Sequence, residues 1–263
     1  MNDMDHSRQA VRYLAYLILC GLGMLVGPAM AQDTLSKEDI IKMHIKQLGG
    51  EEKLKSIKTV NQQFVMILSG PGGDMEAECE LVQDGNKFRM TMSLPGFGEI
   101  QQGSNGKNYW TINPAQGDRL MDKDETALAQ QQYARPFPAL DWLTDYDGKI
   151  NMKGETDVDG TKCYKLEFVP ATGSPITRYF SADDGKMLRF DAVQKGAAGE
   201  IDIEVFLSDF KKVDGISLPF KQDTKMEQAS MVMEVDSIKF NQEINPSEFK
   251  LPASIQKLVD DKK

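Results

Sequence analysis

The second half of the chain alternates between apolar and polar residues with a period of two. Along residues 201–208 every second residue is Ile, Val or Leu, and the residues between them are mostly polar. This alternation predicts strands with one buried and one solvated face. The pairs Asp184-Gly185 and Asp214-Gly215 separate consecutive runs and predict tight hairpin turns. Residues 160–241 therefore predict a meander of antiparallel strands.

The first half of the chain holds a second group of predicted strands. Alternating apolar runs end at turns rich in Gly, Pro and Asn, and they cover residues 64–68, 75–81 and 88–94, with weaker strands near Ile100 and over 107–113. A helical insertion follows, made of residues 124–133 and a short amphipathic piece at 139–143. The pattern therefore predicts about five strands, the insertion and about seven further strands.

Two helices are predicted before the first strand. Ser36 and Asp39 have the spacing of a capping box, and an apolar stripe at helical spacing follows over residues 40–48. Gly49-Gly50 predicts the C-terminal end of this helix. Residues 51–57 predict a second, short helix.

The number of strands limits the architecture. About twelve strands are too many for a flat open sheet, so a sandwich, a closed barrel or a strongly curled sheet is expected. Helices at the start and in the middle of the chain could fill the concave side of a curled sheet. The pattern alone does not choose among the three.

The first residues predict an export signal. Arg8 and Arg12 precede an apolar run over 13–26, and Ala29-Met30-Ala31 fits a signal-peptidase site. We therefore expect residues 1–31 to be a signal peptide cleaved after Ala31, and residues 32–263 to form one domain. Lipidation of Cys20 and an uncleaved N-terminal anchor remain as alternatives.

The charge of the chain argues against nucleic-acid binding, and its cysteine content leaves open whether a disulfide forms. The formal net charge is −9 and no cluster of Lys or Arg follows the signal, which argues against binding of nucleic acid. Cys79 and Cys163 remain after cleavage, and an oxidising compartment permits a bridge. Their predicted side-chain directions lie on opposed strand faces, which argues against pairing without excluding it.

Residues that could carry catalysis are few. His44 is the one histidine after the signal, and its place on an amphipathic helix indicates packing. Metal sites built on His or Cys clusters are therefore not expected. Neither a Gly-x-Ser-x-Gly motif nor a glycine-rich phosphate loop before a helix occurs. We expect no cofactor, no metal and no catalytic residues, so the protein is not predicted to be an enzyme.

Several turn and strand-end motifs resemble one family. They are Leu48-Gly49-Gly50, Asn105-Gly106 before Trp110, Gly160 to Leu166, Tyr179-Phe180 with Asp184-Gly185, Asp209-Phe210 with residues 214–219, Ile238 to Asn241, and Phe249 to Pro252. Together they resemble the outer-membrane lipoprotein-sorting-like proteins, relatives of the periplasmic carriers LolA and LolB. The resemblance implies a mainly β fold: a single curled antiparallel sheet of about 11–12 strands forming an incomplete barrel, with helices on its concave side.

The resemblance also implies a periplasmic carrier that shelters lipid or lipoprotein acyl chains in a hydrophobic cavity. Methionine suits such a wall because its flexible thioether adapts to different shapes, although the same residues could simply fill a core. The expected cavity wall is Phe64, Met66, Leu68, Phe88, Met90, Met92, Trp110, Tyr164, Leu166, Phe168, Met231 and Met233. The expected lid is Phe137, Leu140 and Trp142, which could equally be docked permanently.

The partners follow from the same resemblance. We expect a monomer that binds lipid or an acylated lipoprotein and meets a membrane-protein donor or acceptor. An envelope sensor or assembly factor that grips a protein partner through the same fold is the first alternative. An enzyme acting on a hydrophobic metabolite is the second, although the sequence shows no convergent polar cluster for it.

Overall fold

The computed structural model describes residues 35–133, 135–171, 173–196 and 199–261, so the predicted signal peptide lies outside the described residues. These residues form one antiparallel sheet of thirteen strands. The strands are β1 (Thr59–Gly70), β2 (Gly73–Asp84), β3 (Lys87–Leu94), β4 (Gly98–Ser104), β5 (Tyr109–Ile112), β6 (Arg119–Leu120), β7 (Gly148–Val158), β8 (Thr161–Pro170), β9 (Ile176–Ser181), β10 (Met187–Gly196), β11 (Gly199–Val213), β12 (Ile216–Lys225) and β13 (Ser230–Phe240).

The path of the chain explains the order of the strands. The chain begins at the centre with β1, meanders to one edge at β6, crosses to the other edge at β7, and meanders back until β13 pairs with β1. The edge strands β6 and β7 do not pair, so the sheet is curled but open. This confirms the predicted incomplete barrel. The first group has one strand more than predicted, because the two-residue β6 is too short to show alternation.

Two helices precede the sheet as predicted. Helix α1 (Lys37–Leu48) begins at Ser36, whose hydroxyl oxygen accepts a hydrogen bond from the backbone N–H of Asp39 at 3.1 Å. It ends at Gly49, whose positive φ of 136° few residues other than glycine adopt. Helix α2 (Glu51–Ser56) follows directly.

The insertion between the two groups of strands contains one α-helix and one 3-10 helix. Helix α3 (Lys123–Tyr133) agrees with the predicted segment. The expected second amphipathic helix is instead a 3-10 turn, Pro138–Asp141, with Pro138 at its first position. A second 3-10 turn (Pro246–Phe249) and helix α4 (Ala253–Asp260) end the chain. Within the ranges given above, no helix has the length and apolarity needed to cross a membrane.

Helix α1 packs on one of the two faces of the sheet. Its buried residues Ile40, Ile41 and Ile45 form one core with Leu166 and Phe180 of the strands. We call the face that carries this core the inner face and the opposite one the outer face. A separate cluster of Val158, Cys163 and Tyr179 lies on the outer face. Cys163 is three residues before Leu166 on β8, so its side chain points to the opposite side of the sheet.

Candidate functional site

Part of the inner face carries a methionine-rich surface, which helix α3 borders at Met90. The methionine patch consists of Met66, Leu68, Met90, Met92, Met231 and Met233, all of which are partly exposed. Adjacent members are cross-strand partners: Met66 pairs with Met233, and Leu68 pairs with Met231. Direct cross-strand partners point to the same side of a sheet, so these side chains meet.

Buried residues form the floor of this patch. Phe64, Ala77, Cys79, Phe220 and Val235 make a cluster with Met66, Met90, Met92 and Met233 packed against it. Every member of that cluster lies on a strand. The methionine side chains above this floor are partly exposed, and Met90 also packs against the cluster that contains Ala129 of α3. Their flexible thioethers can repack around an apolar guest.

The part of the inner face that carries Leu166 and Phe180 is covered by α1 and the insertion. Leu166 and Phe168 are fully buried there, and Tyr164 is packed against the same core. From the insertion, Phe137 is buried against Phe240, at 5.9 Å between ring centroids. Leu140 and Trp142 are partly buried in the same cluster. These expected wall and lid residues thus lie together, but they pack against one another.

Of the two further expected wall residues, Phe88 lies beside the methionine patch, where Met90 packs against its cluster, and Trp110 does not. Phe88 is fully buried in a third cluster, where its ring stacks on Tyr133 at 4.0 Å. Trp110 lies on the outer face. Phe88 and Met90 point to the inner face, so Arg89 between them points to the outer face. Arg89 pairs with Gly103, which pairs with Trp110, and cross-strand partners share a face. The indole of Trp110 covers Gly103, where an added Cβ would lie 2.4 Å from the ring.

A basic residue on the inner face was missed by the sequence reasoning. The guanidinium of Arg178 lies 4.3 Å from the ring centroid of Phe168 and 4.9 Å from that of Trp142. Burial lowers its pKa to about 10. A signal for it existed in the sequence: Arg178 alternates with Ile176 and Phe180, so a period of two assigns it to the apolar side of β9.

His44 joins helix α1 to the same region. It is buried, and its Nδ1 donates a hydrogen bond to the carbonyl oxygen of Gly185 at 2.9 Å. Its ring stacks on Trp142 at 5.7 Å and meets the edge of Phe180 at 5.0 Å. Burial lowers the pKa of His44 to about 4. These contacts confirm the interpretation of His44 as a packing residue, which is neutral at physiological pH.

The described residues also contain two cavities that lie away from the methionine patch. A cavity of about 450 Å³ is lined by Lys87, Asn105, Pro246, Phe249, Lys250, Leu251 and Gln256. A second cavity, of about 200 Å³, lies between α1 and the insertion and is lined by residues including Lys37, Trp142 and Tyr146. Over the described ranges, no three His, Cys, Asp or Glu residues converge in a way that could hold a metal ion.

The two cysteines are free and lie on opposite faces of the sheet. Cys79 belongs to the floor of the methionine patch, and Cys163 belongs to the outer cluster. Burial raises the pKa of each thiol to about 11. The structure therefore agrees with the expectation that Cys79 and Cys163 lie on opposed faces and do not pair.

Comparison with solved structures supports the architecture. A LolA superfamily protein from Nitrosomonas europaea is 11% identical with a TM-score of 0.59, and the match covers 82% of this chain and 98% of that one. An outer membrane lipoprotein-sorting protein domain from Vibrio parahaemolyticus is 9% identical with a TM-score of 0.58, over 81% and 97%. A DUF1329 family protein from Desulfovibrio piger is 14% identical with a TM-score of 0.58, over 81% and 96%.

Comparison of the sequence alone identifies no relative. No protein-family model and no curated protein matches the sequence. At identities of 9–14%, the likeness to the solved structures concerns the fold. The order of the strands, the open curled sheet and the helices on its inner face agree with the motifs that first indicated this family. The chain therefore has the LolA-like fold.

Proposed function

We propose that this protein is a carrier that shelters the acyl chains of a lipid or an acylated lipoprotein on the inner face of its sheet. The observation that carries the proposal is the methionine patch, an apolar surface that remains partly exposed while α1 and the insertion cover another part of the inner face. Exposed apolar surface of this kind is unfavourable in water unless a ligand covers it. Each buried CH₂ of an acyl chain contributes about 0.8 kcal/mol.

The same proposal assigns roles to the other expected wall and lid residues. Tyr164, Leu166 and Phe168 support the insertion, and Phe137, Leu140 and Trp142 form the lid beside the bound chain. Trp142 is suited to this role because it is partly exposed and contacts both His44 and Phe168. Binding of an acyl chain is expected to slow amide hydrogen exchange in residues 137–147.

The cellular setting is part of the proposal. Residues 1–31 act as the export signal, and a monomer of residues 32–263 works in the periplasm without covalent chemistry. Phe97 is 67% exposed in the turn between β3 and β4, and Met75 is 44% exposed on β2. Both are apolar and reachable, so they are candidates for contact with a membrane-protein donor or acceptor.

Native mass spectrometry tests the proposal. The protein is exported to a periplasm, purified without detergent, measured intact, and then extracted for lipid analysis. A stoichiometric ligand with one or more acyl chains is the expected result. Protein that retains no lipid, and that also binds no added acyl amphiphile, would contradict the carrier function and favour a role in gripping a protein partner.

A further inference from the structure

We infer that Arg178 binds the anionic headgroup, a carboxylate or a phosphate, of the amphiphile whose acyl chain covers the methionine patch. This inference rests on the proposed carrier function and adds to it the class and the orientation of the ligand. Arg178 differs from every other described arginine because it has no carboxylate partner among the described residues.

The described residues contain five arginines, and four of them have carboxylate partners. Arg119 pairs with Glu125 at 2.6 Å and Arg135 pairs with Asp141 at 2.7 Å. Arg89 contacts Glu248, and Arg189 lies 2.6 Å from Asp191. Arg178, by contrast, has neither an ion pair nor a hydrogen bond to any residue of the described ranges.

An unpaired guanidinium at this depth is costly. Burial lowers the pKa of Arg178 to about 10, and its only close support comes from the faces of Phe168 and Trp142. Cation–π contacts offset part of the desolvation but satisfy none of the five N–H donors in their fork. The N–H donors of Arg178 therefore remain available for a bidentate contact with an anion.

The site can be reached from solvent. Arg178 itself remains partly exposed. Arg178 does not itself line the cavity of about 200 Å³, but its neighbours Trp142 and Tyr146 do, together with Lys37. The charge of Arg178 is close enough to Tyr146 to oppose the burial that raises the pKa of that phenol. Glu38 lies in the same cavity wall, where it is 3.8 Å from Lys37.

The register of the sheet connects Arg178 to the methionine patch. Arg178 pairs with Phe190, which pairs with Val205, and the row continues through Thr224 to Met231 and Leu68. All these side chains point to the inner face, and Thr224 is the one other polar member. Neighbouring strands are about 4.8 Å apart, so Met231 lies roughly 19 Å from Arg178 along the sheet.

That separation fits one amphiphile. Its anionic head would lie on Arg178 beneath Trp142, and its chain would extend along the row to the methionines, displacing the side chains that bury Val205 and Thr224. An acyl amphiphile with a neutral glyceryl head would leave the guanidinium unpaired. The site therefore favours an anionic lipid over a neutral one.

Three monoacyl probes test the inference on the protein comprising residues 32–263. Palmitate carries a carboxylate, palmitoyl lysophosphatidylglycerol a phosphodiester, and monopalmitoylglycerol no charge. Calorimetric titration below the micellar concentration is expected to give at least ten-fold tighter binding of one or both anionic probes. The tighter anionic probe then distinguishes a free fatty acid from a phospholipid as the source of the headgroup.

Two variants locate the effect. Arg178→Gln is expected to abolish the preference for the anionic probe and to leave the affinity for monopalmitoylglycerol within two-fold, whereas Arg178→Lys retains a preference. Lys165→Met, which removes one charge from the outer face beside Tyr179, is the matched control and is expected to change neither. Circular dichroism verifies that each variant is folded.

The outcomes separate the two proposals. Equal binding of anionic and neutral probes by the unmodified protein would overturn the role of Arg178 and leave the carrier function intact. The same conclusion would follow if Arg178→Gln kept the full preference. Binding of none of the three probes would overturn both. The comparison of probes on the unmodified protein needs no variant, so a failure of Arg178→Gln to fold does not prevent the test.

Discussion

The Nδ1 atom of His44 lies 2.9 Å from the carbonyl oxygen of Gly185, and this hydrogen bond joins helix α1 to the turn between β9 and β10. The approach is close: a Cβ added at Gly185 would lie 2.8 Å from the Cγ of Met43 and 3.0 Å from the backbone nitrogen of His44. Helix α1, which packs on the inner face, is thus held against the turn that follows the strand carrying Arg178.

The first prediction concerns the pH dependence of stability. Burial holds the pKa of folded His44 at about 4, below its ordinary value of 6.5. Between these values the unfolded chain binds a proton and the folded chain does not, so stability falls as pH falls through this window. The free energy of unfolding should decrease by about 2–3 kcal/mol between pH 7.5 and 4.5.

Urea unfolding at the two pH values measures this change. His44→Gln keeps an amide that can donate to Gly185, and it removes the titration. It is expected to flatten the dependence between pH 6.5 and 4.5. An unchanged slope in that variant would show that another group is responsible.

The second prediction concerns the close approach at Gly185. Its φ of 76° and the contact with α1 both oppose a side chain. Gly185→Ala should therefore lower the free energy of unfolding by about 2–4 kcal/mol. Gly160→Ala is the matched control, because Gly160 has a similar φ of 80° but nothing within 4 Å. It should cost about 1–2 kcal/mol, from backbone strain alone. Equal effects of the two substitutions in urea unfolding would contradict the close packing of α1 on this turn.

The third prediction concerns the cysteines. Cys79 is 5% exposed and Cys163 is fully buried, and burial raises the pKa of each thiol to about 11. Thiolate is the reactive form, so neither residue should react with a thiol reagent in the folded protein at pH 7.5. Two thiols per chain of residues 32–263 should react after unfolding without a reductant. The absence of free thiols in that experiment would reveal a disulfide and contradict the placement on opposite faces.

The fourth prediction concerns the methionine patch. Met66 and Met233 are direct partners across β1 and β13, and Ile67 and Val232 are the neighbouring pair on the outer face. Replacing Met66 and Met233 by Asn should weaken palmitate binding by ten-fold or more, equivalent to about 1.4 kcal/mol. The control is the same replacement at Ile67 and Val232, which should leave palmitate binding unchanged. Equal losses for both pairs would indicate a general effect on the sheet.

The sequence indicates the fold well because strand alternation and hairpin turns are local signals. Asp214 and Gly215 both adopt positive φ, of 50° and 84°, as a two-residue hairpin of this composition requires. The two-residue strand β6 and the 3-10 turn at Pro138 were not predicted, because the first is too short to show a period and a single 3-10 turn has the same apolar spacing as a short α-helix.

The candidate site was harder to predict because it depends on which part of one face the helices cover. Alternation assigns both Met66 and Leu166 to the apolar face of a strand. The packing of α1 then buries Leu166, whereas Met66 remains partly exposed. Trp110 shows the related difficulty that a short strand gives little guidance to its face. Arg178 was overlooked because a single charge in an apolar strand reads as a solvated position until its partners are known.

Photolabelling with a diazirine-bearing fatty acid tests the central claim most directly. The protein comprising residues 32–263 is irradiated with the bound probe and digested, and the modified residues are identified by mass spectrometry. Labels concentrated on the inner-face residues of β1, β3 and β13, with Met66, Met92 and Met233 among them, are the predicted result. Labels confined to the cavity around Phe249, or to outer-face residues such as Ile67 and Val232, would contradict the proposal that the methionine patch shelters the acyl chain.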